Sequence, residues 1–137
     1  MIGNIHATVL FVRDLASCTA FYRDTLGFEV KHADDSSVWF GDQQVLLLER
    51  SAAADLVGAD ALSRGEGSPR VLLCAEVEDV DATHAALEAK GVAFVQPPTS
   101  QPWGLRTAHF VDPEGNLWEI GHNIAAVAAK QEAAART

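Results

Sequence analysis

The sequence predicts an α+β fold of two tandem βαβββ modules within one domain spanning residues 1–137. Three observations carry that expectation. A strand-like run leading through a capped helix into another strand occurs twice, at 9–30 and at 71–95. A strand–turn–strand of matching spacing closes each half. Finally, 48% of the residues are apolar, enough for a hydrophobic core without disulfides or a structural metal.

Module one is expected over about 4–50. Val9–Val12 reads as a strand, and Asp14 is a good helix N-cap. Leu15, Cys18, Phe21, Tyr22 and Leu26 recur at helical spacing, Gly27 supplies a left-handed C-cap, and Phe28 and Val30 begin the next strand. A linker is expected at 51–69, rich in Ala, Gly and Ser, with a short helical turn near Ala52–Val57 and a Gly65–Pro69 close.

Module two, at about 70–122, repeats this grammar. Val71–Val77 is strand-like, and Asp79 caps a helix whose inward positions are Val80, Thr83, Ala86 and Leu87. Gly91 ends that helix, and Val92, Phe94 and Val95 resume a strand. The closing hairpins align by spacing: Phe40 to Glu49 and Phe110 to Glu119 are both nine positions apart. Asp112-Pro113-Glu114-Gly115 is a turn in its own right. The Ala-rich tail, 123–137, reads as a C-terminal helix.

A formal charge of −9 leaves no basic stripe to displace nucleic-acid counterions, so nucleic acid is excluded as a partner. The same field favours a cationic ligand. No apolar run reaches bilayer-spanning length and the first residues lack a signal-peptide pattern, so a cytoplasmic protein without a membrane partner is expected. Cys18 and Cys74 are too few for a disulfide framework and read as reduced, small core residues. No nucleophile elbow, triad order, phosphate loop or His-x-His spacing occurs, and nothing requires a chemical step.

Three stretches carry a family resemblance: Val-Arg-Asp-Leu…Phe-Tyr-Arg-Asp-Thr-Leu-Gly-Phe (12–28), Val-Glu-Asp-Val-Asp (77–81) and Phe-Val-Asp-Pro-Glu-Gly-Asn-Leu-Trp-Glu-Ile (110–120). They resemble the vicinal oxygen chelate superfamily of glyoxalases, bleomycin-resistance proteins and extradiol dioxygenases. The resemblance implies the glyoxalase/bleomycin resistance/dihydroxybiphenyl dioxygenase fold, with sheets curled around a cavity, helices outside, and a homodimer. It also implies a divalent metal held from the first and last strands of each module. The first-strand positions are Ala7 and Leu72, which cannot ligate, whereas Glu49 and Glu119 occupy the last-strand positions. No cofactor is therefore expected, because two carboxylates do not complete a three- or four-ligand site. A divalent metal would need Glu49 and Glu119 joined by His6, one residue out of register, or by His109. Gln101-Pro102-Trp103-Gly104-Leu105-Arg106 with Phe110, Asp112-Pro113 and Gly115-Asn116 looks like the bleomycin-resistance signature, with Leu105 inserted.

With Glu49 and Glu119 on the cavity face, alternation adds Val45, Leu47, Leu117 and Gly121, and family geometry adds Ala7, Val9, Phe11, Leu72, Cys74 and Glu76. The candidate ligand-binding residues are Phe11, Leu47, Glu49, Leu72, Cys74, Trp103, Arg106, Leu117 and Glu119. Trp103 would stack on a planar or cationic ligand, and Arg106 would orient an anionic group or pair with Asp112 or another acid. Trp39 and Trp118 read as core and His32 and His84 as surface. His122 has the wrong parity for the cavity, and the face of His109 is left open. Three functions remain: metal-free sequestration of a cationic or aromatic compound, a metal-dependent lyase, isomerase or dioxygenase with displaced ligands, or a silent regulatory binding module.

Overall fold

In a computed structural model that describes residues 1–64, 67 and 70–136, the chain divides into two compact units, Met1–Arg70 and Val71–Thr137. Each unit holds one four-stranded sheet. In the first, β1 (Thr8–Val12), β2 (His32–Ala33), β3 (Ser37–Phe40) and β4 (Val45–Glu49) lie in the order β1-β4-β3-β2. In the second, β5 (Leu72–Glu76), β6 (Ala93–Ser100), β7 (Leu105–Val111) and β8 (Leu117–Asn123) lie in the order β5-β8-β7-β6. Both sheets join one parallel pair, β1 with β4 and β5 with β8, to two antiparallel ones. The α+β fold of two tandem βαβββ modules is therefore the fold observed.

The helices sit where the sequence places their caps. α1 (Leu15–Ala20) opens with the Asp14 carboxylate accepting the Ser17 N–H at 3.0 Å and continues as a π-helical turn over Phe21–Thr25. Gly27, at φ +82°, lets the chain reverse so that the Phe28 N–H reaches the Tyr22 carbonyl at 2.9 Å. In the second unit α4 (Val80–Ala89) opens the same way, with Asp79 accepting the Ala82 N–H at 3.2 Å. Each such cap is worth about 1 kcal/mol. Val80 and Leu87 are buried as expected, but Ala86 faces solvent, and His84 turns inward onto the Phe94 ring at a centroid distance of 4.4 Å. The surface reading of His84 is corrected accordingly. The two rings meet edge to face, a favoured aromatic geometry.

Each sheet has one face under its helix. In the first unit register places Leu10, Val12, Val38, Phe40, Val45 and Leu47 on that face, where Tyr22, Phe40, Leu47 and Val12 are fully buried. Tyr22, Phe28 and Phe40 form an aromatic cluster with centroids 5.6–5.9 Å apart. In the second unit Phe110 and Trp118 stack at 6.1 Å, and Phe94 meets Phe110 edge-on at 5.5 Å. Trp118 is core as expected. Trp39 is half-buried on the opposite face of its sheet, paired in register with Leu46.

The linker is more ordered than its composition suggests. It forms α2 (Arg50–Val57) and α3 (Ala59–Arg64), which bring Ala53 and Leu62 onto Leu48, with Leu46 beside them. The helical turn expected at 52–57 is the C-terminal part of α2. Of the Gly/Pro-rich close, positions 65, 66, 68 and 69 lie outside the described residues. After β8 the tail forms α5 (Ile124–Ala135), capped by the Asn123 side chain on the Ala126 N–H at 2.9 Å and without a buried residue. Among the described residues no helix is long and apolar enough to cross a membrane.

Candidate functional site

The face of the second sheet turned away from α4 carries the chemistry. Residues opposite one another in register share a face. Leu72, Cys74 and Glu76 on β5 lie beside Leu117, Glu119 and Gly121 on β8, which lie beside Val111, His109 and Thr107 on β7. At its centre the His109 Nε2 and Glu119 Oε1 atoms are 2.9 Å apart, with four-fifths of each side chain buried. The His109 Nδ1 is shut off from solvent and has no partner among the described residues. Cys74 is the direct neighbour of Glu119 across the β5–β8 pair. Desolvation and then the carboxylate, by charge and hydrogen bond, push the Cys74 thiol above its ordinary value. The residue as a whole is exposed, so the core role expected for Cys74 is corrected, whereas Cys18 is fully buried.

One end of this face is pinned. The Gln101 side-chain amide donates to Thr107 Oγ1 at 3.0 Å, and the Ile124 N–H of α5 donates to the Gly104 carbonyl at 3.0 Å. Between these anchors the turn 101–104 presents Trp103, which is 67% exposed.

The first sheet does not mirror this. The two hairpins differ in length: Phe40 pairs with Val45, five residues on, whereas Phe110 pairs with Trp118, eight residues on. Hairpin one is tightened through a 3-10 turn at Gly41–Gln43, where a Cβ on Gly41 would come within 2.9 Å of Lys31 Cγ. Hairpin two is held open by Asp112, whose carboxylate accepts from the backbone of Glu114 and Asn116 and from the Asn116 amide at 2.8–2.9 Å. The position equivalent to Glu119 is therefore Leu46, and Glu49 corresponds to His122. Register sets Glu49 and Leu47 beside Val12 and Leu10, on the parity of the α1 face. This corrects the cavity-face placement of Glu49, Leu47 and Val45: the equal nine-residue spacing in the two halves spans unequal turns. The open face of the first sheet instead carries Val9, Phe11, Trp39, Leu46 and Leu48, with Val9 and Phe11 each 37% exposed.

Arg106 also changes side. In register with His122, it faces α4, where it forms a two-pronged ion pair with Asp81 at 2.6 and 2.8 Å and donates to Ser100 Oγ at 3.0 Å. The hydrogen bonds from Arg106 hold the Asp81 carboxyl below its usual range. Arg106 is thus engaged on the helix side of the sheet, with Asp81 rather than Asp112 as its partner. His122 faces the same way, as its parity predicts, and accepts the Val80 N–H on Nδ1 at 2.8 Å. Of the residues singled out from sequence, Leu72, Cys74, Leu117 and Glu119 come together, and the register adds His109. The signal for His109 was its place ten residues before Glu119 across a hairpin, which only the turn length makes readable.

The donor set does not suit a chelated metal. On the first sheet the relevant positions are Ala7, half-buried and ahead of β1 beside the exposed His6, and Leu46; on the second they are Leu72 and Glu119. Glu119 and His109 point at each other. Among the described residues no three His, Cys, Asp or Glu side chains converge as a metal-binding group.

Residues 4–120 match the model of the Glyoxalase/Bleomycin resistance protein/Dioxygenase superfamily, and the chain belongs to that superfamily. It is 36% identical over 117 residues to the uncharacterized protein YraH of Bacillus subtilis (strain 168), covering 81% of this chain and 91% of that one. Among solved structures it is similar to a glyoxalase/bleomycin resistance protein/dioxygenase from Nocardioides, with TM-score 0.77 and 25% identity over 90% of this chain and 85% of that one. It is similar also to a lactoylglutathione lyase from Agrobacterium tumefaciens, with TM-score 0.69 and 26% identity over 88% and 93% of the two chains.

Proposed function

We propose that the protein is a metal-free small-molecule-binding member of this superfamily that sequesters a cationic or planar compound on the open face of its second sheet. The observation that carries this reading is the Glu119 carboxylate, held by His109 on a face otherwise bordered by Leu72, Leu117 and Cys74. A largely desolvated carboxylate on an apolar strand face attracts a cation strongly, because little water remains to compete. The net charge of −9 adds long-range attraction of the same sign. Trp103, exposed on an anchored turn, offers a flat face to an aromatic cation. Carbon at Ala7, Leu46 and Leu72 argues for binding through charge and stacking instead of chelation.

Titration with bleomycin and with phenylethylammonium tests the reading. Binding is expected to quench the fluorescence of Trp103, to weaken about tenfold in Glu119→Gln, and to lose its optical signal in Trp103→Ala. Absence of binding across such cations overturns it. So does emission spectroscopy of untreated protein that finds stoichiometric Zn, Ni, Mn or Fe, which would favour a metal-dependent enzyme with displaced ligands.

A further inference from the structure

The turn that carries Trp103 is held more tightly than closing a hairpin requires. The Gly104 N–H donates to the Gln101 carbonyl at 3.1 Å, which closes the turn, and the Gln101 N–H donates to the Leu105 carbonyl at 2.7 Å. Pro102 fixes one of the two central φ angles, and Gly104 follows at φ +91°, a conformation that glycine adopts without strain. Two further bonds tie this turn to the rest of the unit. Gln101 Nε2 donates to Thr107 Oγ1 at 3.0 Å, and the Ile124 N–H at the start of α5 donates to the Gly104 carbonyl at 3.0 Å. Thr107 is only 1% exposed, so its bond with Gln101 is sheltered from competing water.

Register sets this anchor one pleat away from the binding pair. Thr107 lies on the open face beside Gly121, and His109 lies beside Glu119 in the next row. Two residues along a strand span about 7 Å. Gly121 carries no side chain, so the open face is low at the step between the Glu119 carboxylate and the anchored end. With its backbone held, Trp103 keeps only its two side-chain torsions free, and a ring that stacks on it has little further order to impose.

We propose that Gln101 and Thr107 are positioning residues that make the site selective for aromatic over aliphatic ammonium compounds. This inference rests on the proposed cation site at Glu119. The carboxylate attracts any small ammonium ion, whereas only a ring-bearing one gains also from an indole already set in place. Loosening the turn therefore costs affinity for the aromatic ligand alone. An aliphatic ammonium ion, held by Glu119, is indifferent to the turn.

The test is an NMR titration of the full chain with phenylethylammonium and with ethylammonium. Thr107→Val keeps the branched shape and removes the hydroxyl; it should weaken phenylethylammonium about fivefold and change ethylammonium less than about twofold. Thr107→Ser, which keeps the hydroxyl, should bind both as the wild type does. Gln101→Leu, altered at the half-buried partner, should repeat the effect of Thr107→Val. The heteronuclear NOE of the Trp103 indole N–H should fall in Thr107→Val and Gln101→Leu, while those of Trp39 and Trp118 stay unchanged. An unchanged Trp103 signal in both variants overturns the proposal, as does an equal loss of affinity for the two ligands. Equal wild-type affinity for both ligands overturns it too, yet leaves the cation site standing. If the wild type binds neither, the cation site itself falls and this selectivity with it.

Discussion

The two sheets share strand order, helix cap and aromatic packing, yet their open faces have nothing chemical in common. On the first, Val9, Phe11, Trp39, Leu46 and Leu48 present hydrocarbon, and α2 and α3 cover part of it. On the second, the equivalent positions are Cys74, Glu76, His109, Glu119 and Gly121. The helix-covered faces stayed alike because each must fill a close-packed space, so size and polarity are constrained there. An open face has no such neighbour and can diverge. Internal repetition thus reports the scaffold faithfully and the site poorly.

The comparison can be broken most forcefully at the two helix-facing phenylalanines. Phe40→Ala and Phe110→Ala should each cost about 3–5 kcal/mol in urea unfolding, since both rings are buried in aromatic clusters. A much smaller loss at one of them would mean that the two cores are not equivalent. On the opposite faces the expected effects diverge. Glu119→Gln should raise Kd for phenylethylammonium about tenfold, or about 1.4 kcal/mol, whereas Glu49→Gln should change it less than about twofold by calorimetry. Equal effects would restore Glu49 to the binding face.

The thiols sharpen the contrast by a few-fold in rate. Cys74 is exposed, but its raised thiol value keeps it protonated to higher pH, so near about pH 8 iodoacetamide should label it more slowly than free cysteine. Glu119→Gln should speed that labelling, and Cys18 should react only on unfolding, as read by mass spectrometry. The smallest effect belongs to Asp81. Its carboxyl is held low by Arg106, so the stability it lends is present above the ordinary carboxylate range and is lost as pH falls through the lowered value. Its side chain is 54% exposed and screened by solvent, so Asp81→Asn should lower the melting temperature slightly at neutral pH. That gap should close in strong acid.

Local chemistry made most of the architecture legible. Asp14 and Asp79 each needed only a free N–H three residues on to mark a helix start, and Gly27 and Gly91 only the absence of a Cβ to mark its end. Parity along β8 likewise followed from alternation, which set His122 apart from Glu119 without any long-range knowledge. In the linker the helical turn near 52–57 was legible but α3 was not, because Leu62 finds its reason in Leu48, a strand residue that composition does not connect to it.

What the sequence determined by itself was the repeat, its caps and the set of side chains available for binding, because each depends on interactions a few residues apart. Which of those side chains meet was decided only by the tertiary structure. Three residues of difference in turn length move Glu49 to the covered side and leave Glu119 facing His109, and a period-two strand converts such a slip into a change of face.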